Sequence, residues 1–215
     1  MSAWTEHVAK WRDCQRCPLA QQRGRICLAK GSLPAEAVFV GEAPGMSEDA
    51  LGEPFVSTAP AGQLLEWIIG QGLPQGTACA MTNLVACFPR EAKSRGDNQP
   101  EYSEIMACRP RLVEFLNMAR PKLVVCVGVT LAEYVPHNKT VGRVEIVHPA
   151  SIKRMPLVQQ RYAAMKCAVQ IRSAYAEAVK SIQQFQPWEV DHAEGKKGRR
   201  RVADIYDEAE QDIPF

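Results

Sequence analysis

Short apolar runs and longer amphipathic stretches alternate along this chain. Four runs have the length of strands: AVFV at 37–40, TACAMTNLV at 77–85, KLVVCVG at 122–128 and VEIVHP at 144–149. They are largely apolar throughout rather than alternating in polarity, which is the pattern of strands covered on both faces. Between and after them, AGQLLEWII (61–69), EYSEIMACRPRLVEFLNMA (101–119) and a stretch from about 158 to 185 repeat with helical spacing. This alternation predicts an α/β protein, with three α/β/α layers built on a central four-stranded, mostly parallel sheet. Ligands of such sheets gather at the carboxyl ends of the strands. Here those ends present Gly41 to Gly45, Asn83, Gly128 and His148.

The pattern stops after Gln186. Residues 187–215 hold few core-forming side chains and run from a basic block (Lys196, Lys197, Arg199, Arg200, Arg201) into an acidic one. They read as a flexible tail behind one domain at 1–186. With 215 residues and 46% hydrophobic side chains, the chain is long enough for one substantial core. No repeat or heptad run interrupts it.

The opening MSAWTEHVAKWRD mixes charges with apolar residues, unlike a signal peptide, and no run is long enough to cross a bilayer. The expectation is a cytoplasmic monomer with no membrane partner. The net charge is +2, and residues 190–215 sum to −2, which leaves +4 on the rest. That excess suits a nucleic-acid partner, although a solvated basic face gives the same number.

A reducing cytosol makes structural disulfides a poor account of eight cysteines. Cys79 and Cys126 lie in strand patterns, Cys167 in a helix and Cys27 in the apolar segment RICLA, all settings for buried thiols. Cys14 and Cys17 form C-x-x-C before Pro18, a spacing that brings two thiolates to one metal or cluster. A structural thiol pair, a zinc half-site and a redox pair compete with that reading. The absence of a preceding strand argues against a thioredoxin-like redox site. Cys87 and Cys108 lie outside regular strands and are candidates for further ligands, but spacing alone does not choose them.

Five segments stand in register: GEAPGMSED (41–49), GEPFV (52–56), TNLVAC (82–87), CRPRL (108–112) and HPASIKR (148–154). In order and spacing they resemble the family 4 uracil-DNA glycosylases over roughly residues 10 to 180. The resemblance implies an iron–sulfur enzyme acting on uracil-containing DNA, single- or double-stranded. It makes Cys14, Cys17, Cys87 and Cys108 the ligands of a 4Fe-4S cluster and leaves the other four cysteines outside it.

The chemistry of base excision gives each motif a task, because breaking an N-glycosidic bond develops positive charge on the sugar and negative charge on the departing base. The base must first leave the stack and be held in a pocket. Phe55 offers a stacking face. The Asn83 amide has an acceptor and donors that match N3–H and O4 of uracil and mismatch cytosine. His148 is placed to donate to uracil O2, which a neutral imidazole can do. Gly41, Glu42 and Ala43 line the site in the resemblance, with Glu42 orienting water or offsetting charge on the sugar. Ala43 stands where family 1 enzymes have an aspartate, so Glu48 rivals Glu42 for the water. Glu48 and Asp49 also read simply as acids at a helix start. The HPASIKR segment resembles the loop pushed into the duplex, with Ser151 and Ile152 filling the vacated space and Lys153 and Arg154 meeting phosphates.

Two segments depart from the family pattern. Ser57, Thr58, Ala59 and Pro60 lengthen the loop before Ala61 and Gly62, and REAKSRGDNQP lengthens the stretch between Cys87 and Cys108. The first change would suit a glycosylase for a 5-modified pyrimidine. Arg90, Lys93 and Arg95 in the second would add backbone contacts or remain solvated. The last residues, Asp212, Ile213, Pro214 and Phe215, resemble the acidic tip of bacterial single-stranded-DNA-binding proteins and imply a protein partner that recognises that tip. A DNA-binding adaptor that keeps the fold but little activity is the reading from another class. Asn83, Phe55 and His148 favour the enzyme.

Overall fold

The computed structural model describes residues 2–90, 99–129, 131–181 and 184–189. Its elements follow in the order α1 (Ala3–Trp11), α2 (Leu19–Gln22), β1 (Lys30–Gly31), β2 (Ala37–Gly41), α3 (Met46–Leu51), α4 (Pro60–Gly72), β3 (Cys79–Asn83), α5 (Tyr102–Ala119), β4 (Leu123–Val127), β5 (Gly142–Ile146), α6 (Pro149–Arg154) and α7 (Leu157–Lys180). The sheet order is β1-β3-β2-β4-β5. The four expected strands are mutually parallel, while β1 adds a fifth, two-residue strand that pairs antiparallel with β3 at the edge. So short a strand leaves no periodic signal in the sequence.

β2 and β4 are buried along their whole length. Their side chains split by strand alternation. Val38, Val40, Val124 and Cys126 face one core with Leu112, Phe115 and Leu116 of α5. Ala37, Phe39, Leu123, Val125 and Val127 face the other, with Leu65 and Ile68 of α4 and Ile171 of α7. Two cores on opposite faces of one sheet make the three layers.

The chain reverses direction across the sheet between β2 and β4: β3 lies on one side of β2, and the next crossover carries α5 and β4 to the other. All four parallel strands therefore end on one edge, with Gly41 paired to Asn83 and Val127 to Ile146. Such a switch point opens a crevice at the carboxyl edge.

Besides the fifth strand, one feature differs from the sequence reading. Trp188, placed in the tail by composition, is 5% exposed and packs in the α5-side core. Its backbone pairs with the Asn117 amide and its Nε1 donates to Pro136 O. The core therefore runs past Gln186. Residues 190–215, including the partner residues Asp212, Ile213, Pro214 and Phe215, lie outside the described residues, as do Lys93 and Arg95.

Candidate active site

Gly41, Phe55 and Asn83 meet at the carboxyl edge. A Cβ on Gly41 would stand 2.6 Å from Phe55 Cζ and closer still to Asn83 Oδ1. Only glycine leaves room for both groups here. Asn83 is 2% exposed, and its Nδ2 is buried with no hydrogen-bond partner. Buried amide donors are normally satisfied, so this orphan at the carboxyl edge of the sheet is an exception that calls for an explanation.

The Phe55 ring is held through its backbone. Its φ of +50° lies in the left-handed region, which side chains other than glycine rarely adopt. Glu48 Oε1 accepts from Phe55 N, and Lys30 Nζ donates to Phe55 O. The other Glu48 oxygen accepts from Gly45 N and caps α3. With each oxygen accepting from a backbone amide, Glu48 clamps Gly45 and Phe55. Lys30 has no signal in the sequence, since a lysine at a strand edge is by default solvated. Asp49 is likewise structural: it is 1% exposed, accepts from Gly24 N and Arg25 N, and pairs with Arg90. That pair places Arg90 beside α3.

The lengthened loop after Phe55 runs into the start of α4, with Ala59 as N-cap and Pro60 in the first turn. Gly62 then presses onto the Val56 carbonyl, which fixes the helix against the pocket wall.

Glu42 and Ala43 follow Gly41 and are half-buried. The Gly41 and Glu42 carbonyls accept from Leu84 N and Val85 N, so the segments after β2 and β3 continue side by side.

His148 stands two residues past β5 on the same edge and is the N-cap of α6. Its Nδ1 accepts from Ala150 N at 3.1 Å. The ring proton is therefore on Nε2. Burial, helped by the Arg154 charge, pushes its pKa down to about 4. The imidazole is neutral at physiological pH with Nε2–H as its donor.

One member of the proposed DNA loop moves. Ile152 is fully buried and packs in the core shared by α4 and α7. It cannot fill a gap in a duplex, because its side chain already fills the protein. Ser151 is half-buried, and Lys153 and Arg154 are exposed. Leu157 and Val158 begin α7 and are 82% and 87% exposed.

Cys14, Cys17, Cys87 and Cys108 line one cavity together with Arg16, Arg23 and Arg111. Its walls come from the loop after α1, the turn before α2, the segment after β3 and the second turn of α5. Arg23 Nη1 donates to Cys14 O at 2.8 Å and to Cys87 Sγ at 3.4 Å. Burial pushes the Cys87 thiol up to about 11 and raises that of Cys17. Among the described residues, no three His, Cys, Asp or Glu side chains are grouped to hold a single metal ion. Cys27, Cys126 and Cys167 are buried and Cys79 is partly so, all outside the lining of this cavity. No helix among the described residues is long and apolar enough to cross a membrane.

A doubly wound, mostly parallel sheet with an orphan amide, a clamped aromatic ring and a neutral imidazole at its carboxyl edge defines an α/β protein whose edge groups have the chemistry to meet a planar, hydrogen-bonding ligand. The profile described as Uracil DNA glycosylase superfamily matches residues 29–170. The type-4 uracil-DNA glycosylase of Archaeoglobus fulgidus is 30% identical over 185 residues, covering 75% of this chain and 89% of that protein. The type-4 enzyme of Saccharolobus solfataricus is 38% identical over 119 residues, or 54% of this chain. Here the match spans 51%, about half, of the relative's length. That of Thermotoga maritima is 30% identical over 142 residues, 66% of this chain and 69% of its own. The chain belongs to the uracil DNA glycosylase superfamily.

Proposed function

We propose that this protein excises uracil from DNA by hydrolysing its N-glycosidic bond, leaving an abasic site and starting base-excision repair. The observation that carries this reading is the unpaired Asn83 Nδ2, buried beside Gly41 and the Phe55 ring. A flipped uracil stacks on Phe55, gives N3–H to Asn83 Oδ1 and accepts from Nδ2 at O4. His148 Nε2–H donates to O2 as charge develops on the leaving base. Glu42 orients the water and offsets positive charge on the sugar, with Gly41 and Ala43 beside it. None of the residues assigned to the base and the sugar is a lysine that could act as a Schiff-base nucleophile, so the reaction ends at the abasic site.

Lys153 and Arg154 contact phosphates, with Ser151 at the base of the same loop. Leu157 and Val158, three to four residues further on, are the exposed apolar side chains available to fill the space the base leaves.

The direct test is alkali-dependent cleavage of uracil-containing single- and double-stranded oligonucleotides. Wild type should cut both. Asn83→Asp should lose most uracil excision, because a carboxylate cannot donate to O4. Intact oligonucleotides with fully folded wild-type protein would refute the activity.

Cys14, Cys17, Cys87 and Cys108 fit a 4Fe-4S cluster: all four line one cavity, and basic side chains there offset the negative charge of such a group. When bound, the cluster cross-links the N-terminal loop, the segment after β3 and α5. Cys87→Ala or Cys108→Ala should remove most of the iron and labile sulfide, whereas Cys27→Ala should keep both. Zinc in place of iron in the anaerobically purified protein would overturn the iron–sulfur assignment.

The cytoplasm is the proposed compartment, and Asp212, Ile213, Pro214 and Phe215 are proposed to bind an enzyme that recognises the single-stranded-DNA-binding-protein tip. Removing residues 190–215 should leave excision on bare oligonucleotides unchanged, since every active-site candidate precedes them. A peptide ending in EQDIPF should compete with the authentic tip; absence of competition would leave the segment without this role.

A further inference from the structure

Arg111 heads the largest fully buried side chains of the fold at 1% exposure, and it carries a charge. It lies on α5 three residues after Cys108. Its Nη1 donates to Leu28 O at 3.0 Å and Thr82 Oγ1 at 2.7 Å. Its Nη2 donates to the carbonyls of Asn83 and Leu84. All four acceptors are neutral. Nε is buried with no partner, and among the described residues no carboxylate pairs with this guanidinium.

A buried cation without a counter-charge is strongly unfavourable unless an anion approaches it. Arg111 lines the cavity of Cys14, Cys17, Cys87 and Cys108. Four thiolates around iron and sulfide would form a net anionic group and supply that counter-charge. The same guanidinium holds the two carbonyls at the end of β3, and the Asn83 backbone fixes where its amide reaches. Arginine suits both tasks because its planar fork reaches several acceptors at once and its charge is permanent.

We propose that Arg111 is a positioning residue that ties the cluster to the base-reading end of β3: the cluster satisfies its charge, and its Nη2 holds Asn83 in register for uracil. This rests on the cluster and uracil assignments above. It gives the cluster a part in recognising the base, although the cluster cavity and the Asn83 amide are separate sites.

The experiment uses the cluster-loaded full chain with Arg111→Met and Arg111→Lys. It measures iron content, cluster reduction potential, single-turnover uracil excision and affinity for abasic-site DNA. Loss of the positive charge in Arg111→Met should shift the potential negative, and excision should fall roughly ten- to a hundredfold, the scale of a misplaced recognition group. Arg111→Lys keeps the charge and loses the fork, so its potential should stay near wild type while excision still falls. Affinity for abasic DNA, which has no base for Asn83 to read, should hold within about twofold in both variants. Wild-type potential and excision in Arg111→Met would overturn the proposal. An unshifted potential with reduced excision would also overturn it, leaving Arg111 a purely structural residue. If Arg111→Met does not fold, Arg111→Lys decides: full excision, or a potential shift despite the retained charge, overturns the proposal. Wild-type protein that binds no iron overturns it too, and that failure is visible before any variant is made.

Discussion

Replacing His148 with alanine should lower single-turnover uracil excision by about 10²- to 10³-fold, the usual cost of one oxyanion donor. Affinity for abasic-site DNA should change little. The basis is a tautomer fixed by the fold: Nδ1 accepts from Ala150 N, so Nε2 carries the proton. The same contact caps α6, and losing a cap costs about 0.5–2 kcal/mol of stability. His148→Asn retains an acceptor at the cap and removes the reach of the imidazole, so it should fold well and still lose the rate. The pH dependence follows from the depressed pKa. Above about 6.5 the imidazole is neutral in both folded and unfolded chains and contributes no slope. As pH falls below that value, the unfolded chain takes a proton that the native state refuses until about 4, so stability declines across this window. His7, also shifted down by burial, adds to the decline. Melting temperatures of wild type and His148→Asn across this range should converge at low pH. Wild-type excision rates in both variants would remove His148 from the reaction.

The four parallel strands were legible because both faces of the sheet are covered, which makes each strand a nearly unbroken apolar run. The carboxyl-edge residues followed from that order. What escaped the sequence reading shares a physical cause, namely that a side chain's partner is set by tertiary contact. α1 looks like a mixed polar segment, yet Trp4 and His7 stack near Phe115 of α5 and Trp11 donates to Glu114. Ile152, an apolar residue among polar neighbours, fits a solvent-facing wedge or a helix face turned inward; packing by α4 and α7 decides for the second. The roles of Glu48 and Asp49 depend on which backbone amides lack partners, and no residue pattern displays that. Arg111 is the clearest case. A charged residue in a helix is by default exposed, but three residues after Cys108 and one before Leu112 it falls on the buried face. The cysteine set was open from spacing alone, and the fold brings those four residues to one cavity because the end of β3 and the second turn of α5 both lie beside the N-terminal loop.

Gly41→Ala should abolish most excision and cost about 1–3 kcal/mol of stability, the range for overfilling a packed site. β2 is buried along its length and held by parallel neighbours on both sides, so its backbone has little freedom to retreat. The added methyl must displace the Asn83 amide or the Phe55 ring. Asn83 is held from behind through Arg111, and the Phe55 backbone is held by Glu48 and Lys30. Whichever group moves, the space a uracil ring needs between them is lost, and excision should fall more steeply than stability. Denaturant unfolding and single-turnover excision on the same preparation separate the two effects. Trimming the ring in a Gly41→Ala, Phe55→Leu double variant should recover stability by relieving the clash, because the two positions are in contact and their effects do not add. Excision should stay low, since the stacking face is gone. A Gly41→Ala protein that folds normally and excises uracil at the wild-type rate would place the base-binding pocket somewhere other than between these three residues.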